Sequence, residues 1–346
     1  MNKRLAKIKE YLKANSVDSL VVTNPKNMRY LASYTGEGYL VISQDTDYLV
    51  TDFRYISQAK TQTQGFEICD IAHFKPKSEF GGFESTFFED TDISYHMYQK
   101  LSQNFLCLKP FGNVLLDMRA VKDKEEISAI AKAEEIGDRA FCHMLSFLKP
   151  GVSERDIALE IEFFMRQNGA EALSFDTIVA TGAHGAMPHA EPDDRKIQSG
   201  DFVVFDFGCV YEGYSSDMTR TVCVGKATDE MKKIYNTVLE AQTTCLEMVK
   251  EGIIASEIHA NAQRIIDEVY PKTFGHGLGH GVGLDIHESP NLSPRNTNPL
   301  QNGNVVTVEP GIYIDGFCGV RIEDLVVVDG DKCINLTHSD KNLIEI

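Results

Sequence analysis

The sequence predicts a mixed α/β (α+β) fold in two parts, a small N-terminal α/β domain over residues 1–118 and a larger domain over 119–346. Three observations carry this. Helix and strand signals alternate through the first third of the 346 residues. A long stretch with helical periodicity then opens at about residue 122. Beyond it one short phrase occurs twice, as "QSGDFVVFDFG" at 198–208 and "QNGNVVTVEPG" at 301–311, so the larger domain reads as two related halves.

The opening "MNKRLAKIKEYLKANSV" sets Leu5, Ile8 and Leu12 on one helical stripe and lacks the apolar core of a leader peptide. β-branched runs follow at "SLVVT" (19–23), "YLVIS" (39–43), "YLVTD" (48–52) and "NVLLDM" (113–118), each read as a strand. Helical periodicity over 122–148 stops at Pro150 and Gly151, because proline has no N–H to continue the ladder. Ser153 is placed to cap a second helix that runs to about Gln167.

After Ala170 the pattern turns strand-like and the duplication begins. The first half runs through "MPHAEP" and the first phrase to "SSDMTRTV". The second has helical stretches at 229–249 and 255–270, then "DIHESP", the second phrase and "VRIEDLVVV". His189 with Pro192 and His287 with Pro290 repeat one spacing. Gly200 and Gly303, Asp206 and Glu309, Gly208 and Gly311, and Gly213 and Gly316 all stand 103 residues apart. One such match would mean little, but three glycine pairs and an acid pair at a single offset indicate duplication. A second acid follows in each half, though out of register: Asp217 lies 11 residues after Asp206, and Glu323 lies 14 after Glu309. Pseudo-symmetry would bring all four acids near one axis.

Composition limits the partners. An apolar fraction of 42% supports sizeable cores, and a net charge of −17 argues against nucleic acid or an anionic membrane. No apolar run approaches the ~20 residues that cross a bilayer. Eight cysteines without a C-x-x-C fit a reducing cytoplasm. Neither a phosphate-loop motif nor a G-x-S-x-G elbow is present.

The chemistry sits on the acids. Asp206 and Glu309 interrupt runs apolar enough to be buried, where a lone carboxylate is costly. Arg220 or Arg321 could pair with a single acid, but four converging acids need at least two divalent cations. The stretch "FGHGLGHGVGLDIHESP" adds His276, His280 and His287. Its alternate glycines oppose a helix, and an extended backbone puts His276 and His280 on one face. One histidine with four carboxylates is an oxygen-rich set that favours Mn²⁺, Fe²⁺ or Co²⁺ over a thiolate zinc site. Bridging carboxylates would hold two ions ~3.5–4 Å apart around a shared water, the arrangement of a two-metal hydrolase.

At this point the residues resemble a known family. "VFDFGCVYEGYSSDMTRT", "HGLGHGVGLDIHE", "VEPGIY" and "GVRIED" stand in the order and spacing of the pita-bread metallopeptidases, the group of methionine aminopeptidase, aminopeptidase P and prolidase. The resemblance covers roughly 119–346 and implies the pseudo-two-fold pita-bread (creatinase/aminopeptidase) catalytic fold. It implies Asp206, Asp217, His280, Glu309 and Glu323 as ligands of two divalent metal ions, Mn²⁺ first, with Co²⁺, Fe²⁺ or Zn²⁺ as alternatives. Asp206 would chelate one ion, His280 and Glu309 the other, and Asp217 and Glu323 would bridge. Glu309 would also take a proton from the bridging water as general base and return it as acid. His189 and His287 would contact the scissile group, His276 line the pocket, Arg321 orient a ligand acid, and Tyr313 stand beside them. His276 could equally satisfy a buried backbone carbonyl.

"NPKNMRYLASYTGEGYLVIS", "YLVTDFRYISQA" and "GFESTFFEDTDISYHMYQKL" look like landmarks of the domain that precedes Xaa-Pro peptidases and that methionine aminopeptidases generally lack. The implied function is a cytoplasmic, homodimeric exopeptidase that cleaves the Xaa-Pro bond of dipeptides or of short peptides with proline second. The alternatives are a methionine aminopeptidase-type enzyme and a non-catalytic peptide- or histone-binding module. Ligand loss would mark the module, and all five ligands are intact.

Overall fold

The computed structural model describes residues 3–74 and 83–346, so Gly82 of the third landmark lies outside the described residues. Contacts divide the chain into two compact units, Met1–Leu115 and Leu116–Ile346.

In the first unit helix α1 (Lys3–Ala14) buries Leu5, Ile8 and Leu12, the stripe expected of it. Asn24 caps α2 (Pro25–Ala32) by accepting from the Lys26 and Asn27 amides, with proline at the position where its missing N–H costs nothing. Strands β1 (Ser19–Val22), β2 (Tyr39–Ser43), β3 (Asp47–Thr51), β4 (Phe66–Asp70), β5 (Thr86–Phe88) and β6 (Leu108–Pro110) make one mixed sheet in the order β4-β3-β2-β1-β5-β6. Helices α3 (Ile56–Gln62) and α4 (Tyr95–Asn104) complete the unit. The run at 113–118, expected as a strand, is instead helix α5 (Val114–Ala120). Leu115 and Arg119 are its buried residues, one turn apart, and only Val114 is β-branched.

The second unit repeats one layering. Its first pair of helices, α6 (Lys124–Phe147) and α7 (Glu154–Gln167), each begin with a reciprocal capping box, Asp123 with Glu126 and Ser153 with Asp156. After β7 (Ala172–Leu173) they pack on a sheet of β8 (Ile178–Thr181), β9 (Asp201–Phe207) and β12 (Met218–Val224). Ile136, Phe141, Ile157 and Ile161 from the helices meet Val203, Phe205, Phe207 and Val222 from the strands. Between β9 and β12 runs the short hairpin of β10 (Cys209–Tyr211) and β11 (Tyr214–Ser215). In the second half α8 (Asp229–Met248) and α9 (Ala255–Val269) pack on a sheet of β13 (Gly279–Gly281), β14 (Glu288–Leu292), β15 (Val305–Val308), β18 (Asp324–Asp329) and β19 (Lys332–Asn335). The hairpin of β16 (Gly311–Ile314) and β17 (Cys318–Arg321) lies between β15 and β18.

The duplicated phrase is duplicated geometry. The Asp201 N–H donates to the Gln198 carbonyl at 3.2 Å, and the Asp201 carboxylate accepts from the Gln198 N–H at 2.8 Å. Asn304 makes the same two bonds to Gln301, at 3.0 and 2.7 Å. Both turns need a positive φ at their third residue, supplied by Gly200 at 98° and Gly303 at 86°. The offset between the second acids also has a cause. The β10–β11 hairpin closes with two residues, 212 and 213, whereas β16–β17 closes with three and carries more paired residues.

Candidate functional site

Strand parity decides where the acids point. In β9, Val203, Phe205 and Phe207 face the helices of their own half, which turns Asp206 to the opposite face. In β12 the even residues Met218 and Val222 join that helix core, so Asp217, Thr219 and Thr221 share the other side. Thr219 sits directly across the ladder from Asp206. In the second half Glu309 follows β15 and Glu323 precedes β18. His280 comes from β13, whose Gly279 lies so close to β15 that a Cβ there would meet the Thr307 carbonyl at 2.0 Å.

The five expected ligands converge. Asp217, His280 and Glu323 offer ligand atoms within 4.8 Å of one another. His280 Nε2 lies 3.3 Å from Asp217 and 3.5 Å from Glu309. Its Nδ1 donates to the Gly281 carbonyl at 3.1 Å, which fixes the ring with Nε2 turned toward the acids. Burial, and then the neighbouring carboxylates, push Asp217 and Glu323 well above the usual carboxylate range. Burial raises Glu309 to about 7 against the pull of His280 and Arg321.

Behind this cluster stands a chain of neutral and cationic donors. Arg321 Nη2 donates to Asp206 at 2.5 Å, Nη1 to the Tyr313 hydroxyl at 2.8 Å, and Nε to Thr219 at 3.0 Å. Tyr313 in turn donates to His276 Nε2 at 3.0 Å, while His276 Nδ1 donates to the Gly277 carbonyl at 2.7 Å. Burial pushes His276 down to about 4, so the ring is neutral, its one proton goes from Nδ1 to Gly277, and Nε2 accepts from Tyr313. His276 therefore satisfies a backbone carbonyl and also borders the cavity.

A cavity of about 430 Å³ opens over the cluster, lined by all the expected residues except Tyr313, which stands one hydrogen bond behind. His189 and His287 are both exposed at its rim, and His287 meets the His280 ring edge to face at 4.4 Å between centroids. Phe175, Thr177 and Ile178 complete one wall.

Sequence reasoning missed two supports. Thr219 is fully buried and donates to Glu323 at 2.7 Å while accepting from Arg321. Its signal was parity, since it lies two residues after Asp217. Glu134 of α6, pushed up to about 8 by burial, accepts from the Asp217 N–H at 3.2 Å and from Thr337 at 2.6 Å. No local pattern marks it. Glu154, His184 and Asp193 also cluster, but Glu154 already accepts from His184 and from the Thr181 and Asp193 amides. That group reads as a hydrogen-bonded anchor for the turn that carries His189.

Divalent cations fit the first cluster. Asp206 Oδ1 and Glu323 Oε1 are buried with no hydrogen-bond partner among the described residues. Four acids face one buried guanidinium, so positive charge is missing, and the donors are the oxygens and imidazole nitrogen that such ions take.

Residues 128–330 match the metallopeptidase family M24, and residues 4–121 match the creatinase/prolidase N-terminal domain. A Xaa-Pro dipeptidase of Pyrococcus horikoshii is 37% identical over 353 residues, 99% of each chain. Among solved structures, a Xaa-Pro dipeptidase from Bacillus anthracis superposes with a TM-score of 0.96 at 39% identity over 99% of both chains. An X-Pro aminopeptidase from Thermotoga maritima gives 0.93 at 34%, covering 99% of this chain and all of that one. These likenesses run the length of the molecule and define a pita-bread metallopeptidase with its preceding domain. The chain belongs to metallopeptidase family M24. Membership implies divalent metal ions at the centre.

Proposed function

We propose that this protein is a dinuclear-metal exopeptidase that hydrolyses the Xaa-Pro bond of dipeptides or of short peptides with proline second. Its creatinase-like domain would span 1–118 and its catalytic domain 119–346. The observation that carries this is the convergence of Asp217, Glu323 and His280 beside Asp206 and Glu309, with buried carboxylate oxygens left unpartnered. The five side chains would hold two ions, Mn²⁺ first, with Asp217 and Glu323 shared between them. Bound there, the ions supply Lewis acidity and a hydrolytic water at neutral pH.

The chain's own residues do the rest. Glu309 takes the proton of the attacking water and passes it to the leaving prolyl nitrogen. His189 and His287, exposed at the rim, orient the scissile carbonyl and donate to the oxygen on which charge develops. Arg321 holds Asp206 through a charge-assisted bond, and Tyr313 and His276 extend that support. A prolyl nitrogen has no N–H to offer, so recognition must grip the ring and the carbonyl. The names of the two dipeptidase relatives and of the aminopeptidase structure support the substrate class. Dimerisation is proposed on the family resemblance alone.

The test is protein loaded with Mn²⁺ and offered Ala-Pro, Ala-Pro-Ala and Met-Ala-Ser. Cleavage of Ala-Pro with Met-Ala-Ser untouched is expected. Turnover of Met-Ala-Ser alone selects the methionine aminopeptidase reading, and loss of activity on all three with two ions bound rejects a peptidase of either kind.

A further inference from the structure

We infer that Glu288, gripped by Arg119 and Lys122, positions His287 for the reaction, so that a buried ion clamp outside the cavity belongs to the hydrolytic machinery. This rests on the peptidase reading of the same cavity, and on four observations.

First, the His287 imidazole has no hydrogen-bond partner among the described residues, and its one ring contact is with His280. An exposed histidine held so loosely has its position set by the backbone on either side. Second, both sides are tied to one cation. Arg119 Nη2 donates to Asp285 at 2.5 Å and to Glu288 at 2.6 Å, two residues before and one after His287. Lys122 Nζ meets the other Glu288 oxygen at 2.6 Å. Third, the clamp is deep. The Arg119, Lys122 and Glu288 side chains are 2%, 1% and 5% exposed, and Gly283 makes the space, since a Cβ there would come within 2.2 Å of the Glu288 carboxylate. Fourth, the cations are themselves fixed. The Lys122 N–H donates to the Gly303 carbonyl at 2.9 Å, and the Asn304 side-chain amide to the Ala120 carbonyl at 2.9 Å. Arg119 and Lys122 thus stand on the second copy of the duplicated turn.

A buried ion group does not fill space better than apolar side chains of the same volume, and its distinctive property is a directional, single-valued geometry. Here that geometry flanks the one rim histidine that touches a ligand histidine. Glu288 is accordingly a positioning residue, acting through His287 and not on substrate.

The test is a double-mutant cycle on Mn²⁺-loaded protein with Ala-Pro, comparing wild type, Glu288→Gln, His287→Ala and the pair. Glu288→Gln is expected to lower kcat about tenfold or more with KM nearly unchanged, and to add nothing in the His287→Ala background, within about a factor of two. Losses that multiply would mean that Glu288 acts on the metal centre or on stability, which overturns the proposal. Because Glu288→Gln removes the carboxylate that the buried Arg119 and Lys122 side chains share, Asp285→Asn is the companion variant at a position one third exposed. It should give a smaller kcat loss that also vanishes without His287.

Wild-type turnover tests the peptidase reading separately. Should wild type cleave no Xaa-Pro peptide, the clamp is read from imidazole ¹H–¹⁵N spectra of the metal-free protein, with His287 assigned through His287→Ala. Its signals should shift or broaden in Glu288→Gln and Asp285→Asn while those of His189 hold still. An unmoved His287 resonance sinks the clamp whatever the wild-type activity.

Discussion

Arg321 links three parts of the site that are far apart in the chain. Its guanidinium reaches Asp206 of the first half, Tyr313 of the second, and the Pro188 carbonyl at 3.3 Å, one residue before His189. Burial opposes its charge, yet the surrounding Tyr313, Asp206, Glu309 and Glu323 raise its pKa well above the ordinary value. It remains a cation throughout. What matters is the planar fork, because Nη1, Nη2 and Nε each serve a different partner. A lysine would restore the charge but only as a point, so Arg321→Lys should behave nearly as badly as Arg321→Met. Either change frees Asp206 and should weaken Mn²⁺ binding by about 10–100-fold, read by calorimetry. Binding as tight as wild type in the lysine variant would show that charge alone suffices.

At the scale of elements, the site is made by hairpins whose ends must not move. Gly208 leaves β9 two residues after Asp206, and a Cβ there would lie 1.9 Å from the Ser216 carbonyl, next to Asp217. Gly316, in the matching hairpin of the other half, has open space around it and needs only its φ of 71°. Gly208→Ala should therefore lose most metal binding and activity. Gly316→Ala should keep activity and lose about 1 kcal/mol of stability, read from denaturant midpoints. Equal damage from both would mean that the close approach at Gly208 is not what spaces the acids.

These elements were legible to different degrees. The Ser153 cap, the helix that follows it and the twin turns are local, and local pattern gave each one. The run at 113–118 was misread because a short apolar run looks alike in helix and strand until its burial period is known. Thr219 and Glu134 act across gaps of 104 and 83 residues, distances at which no window on the sequence sees a partner. Asp206 and Glu309 could be found because carboxylates in apolar strands are out of place. Arg119 and Lys122 could not, since a cation near a domain junction looks like surface.

For the molecule as a whole, the clustered acids should make stability depend on pH in a direction opposite to the usual one. In the metal-free protein burial raises Asp217 and Glu323 well above their ordinary values and Glu309 to about 7. A carboxyl whose folded pKa lies above its unfolded one keeps its proton where the unfolded chain has lost it. Below about pH 4.5 both states of Glu309 are protonated and it costs nothing. Between there and its folded value of about 7 the penalty accumulates, and above that it is complete, on the order of 3 kcal/mol for this group alone. Asp217 and Glu323 add in the same direction. The metal-free protein should therefore melt at lower temperature at pH 7.5 than at pH 5. Divalent ions bind the ionised form, so they compete with these protons and stabilise most where the penalty is largest. Mn²⁺ at about a hundred times its Kd contributes ~2.7 kcal/mol, a rise of about 5–10 °C in Tm for a unit of this size. Scanning calorimetry at both pH values, with and without Mn²⁺, reads all of this. The expected pattern is a metal-free Tm that falls with pH and an Mn²⁺ increment that grows with it. A metal-free Tm that rises from pH 5 to 7.5, with no response to Mn²⁺, would mean that these carboxylates are not gathered in one buried centre.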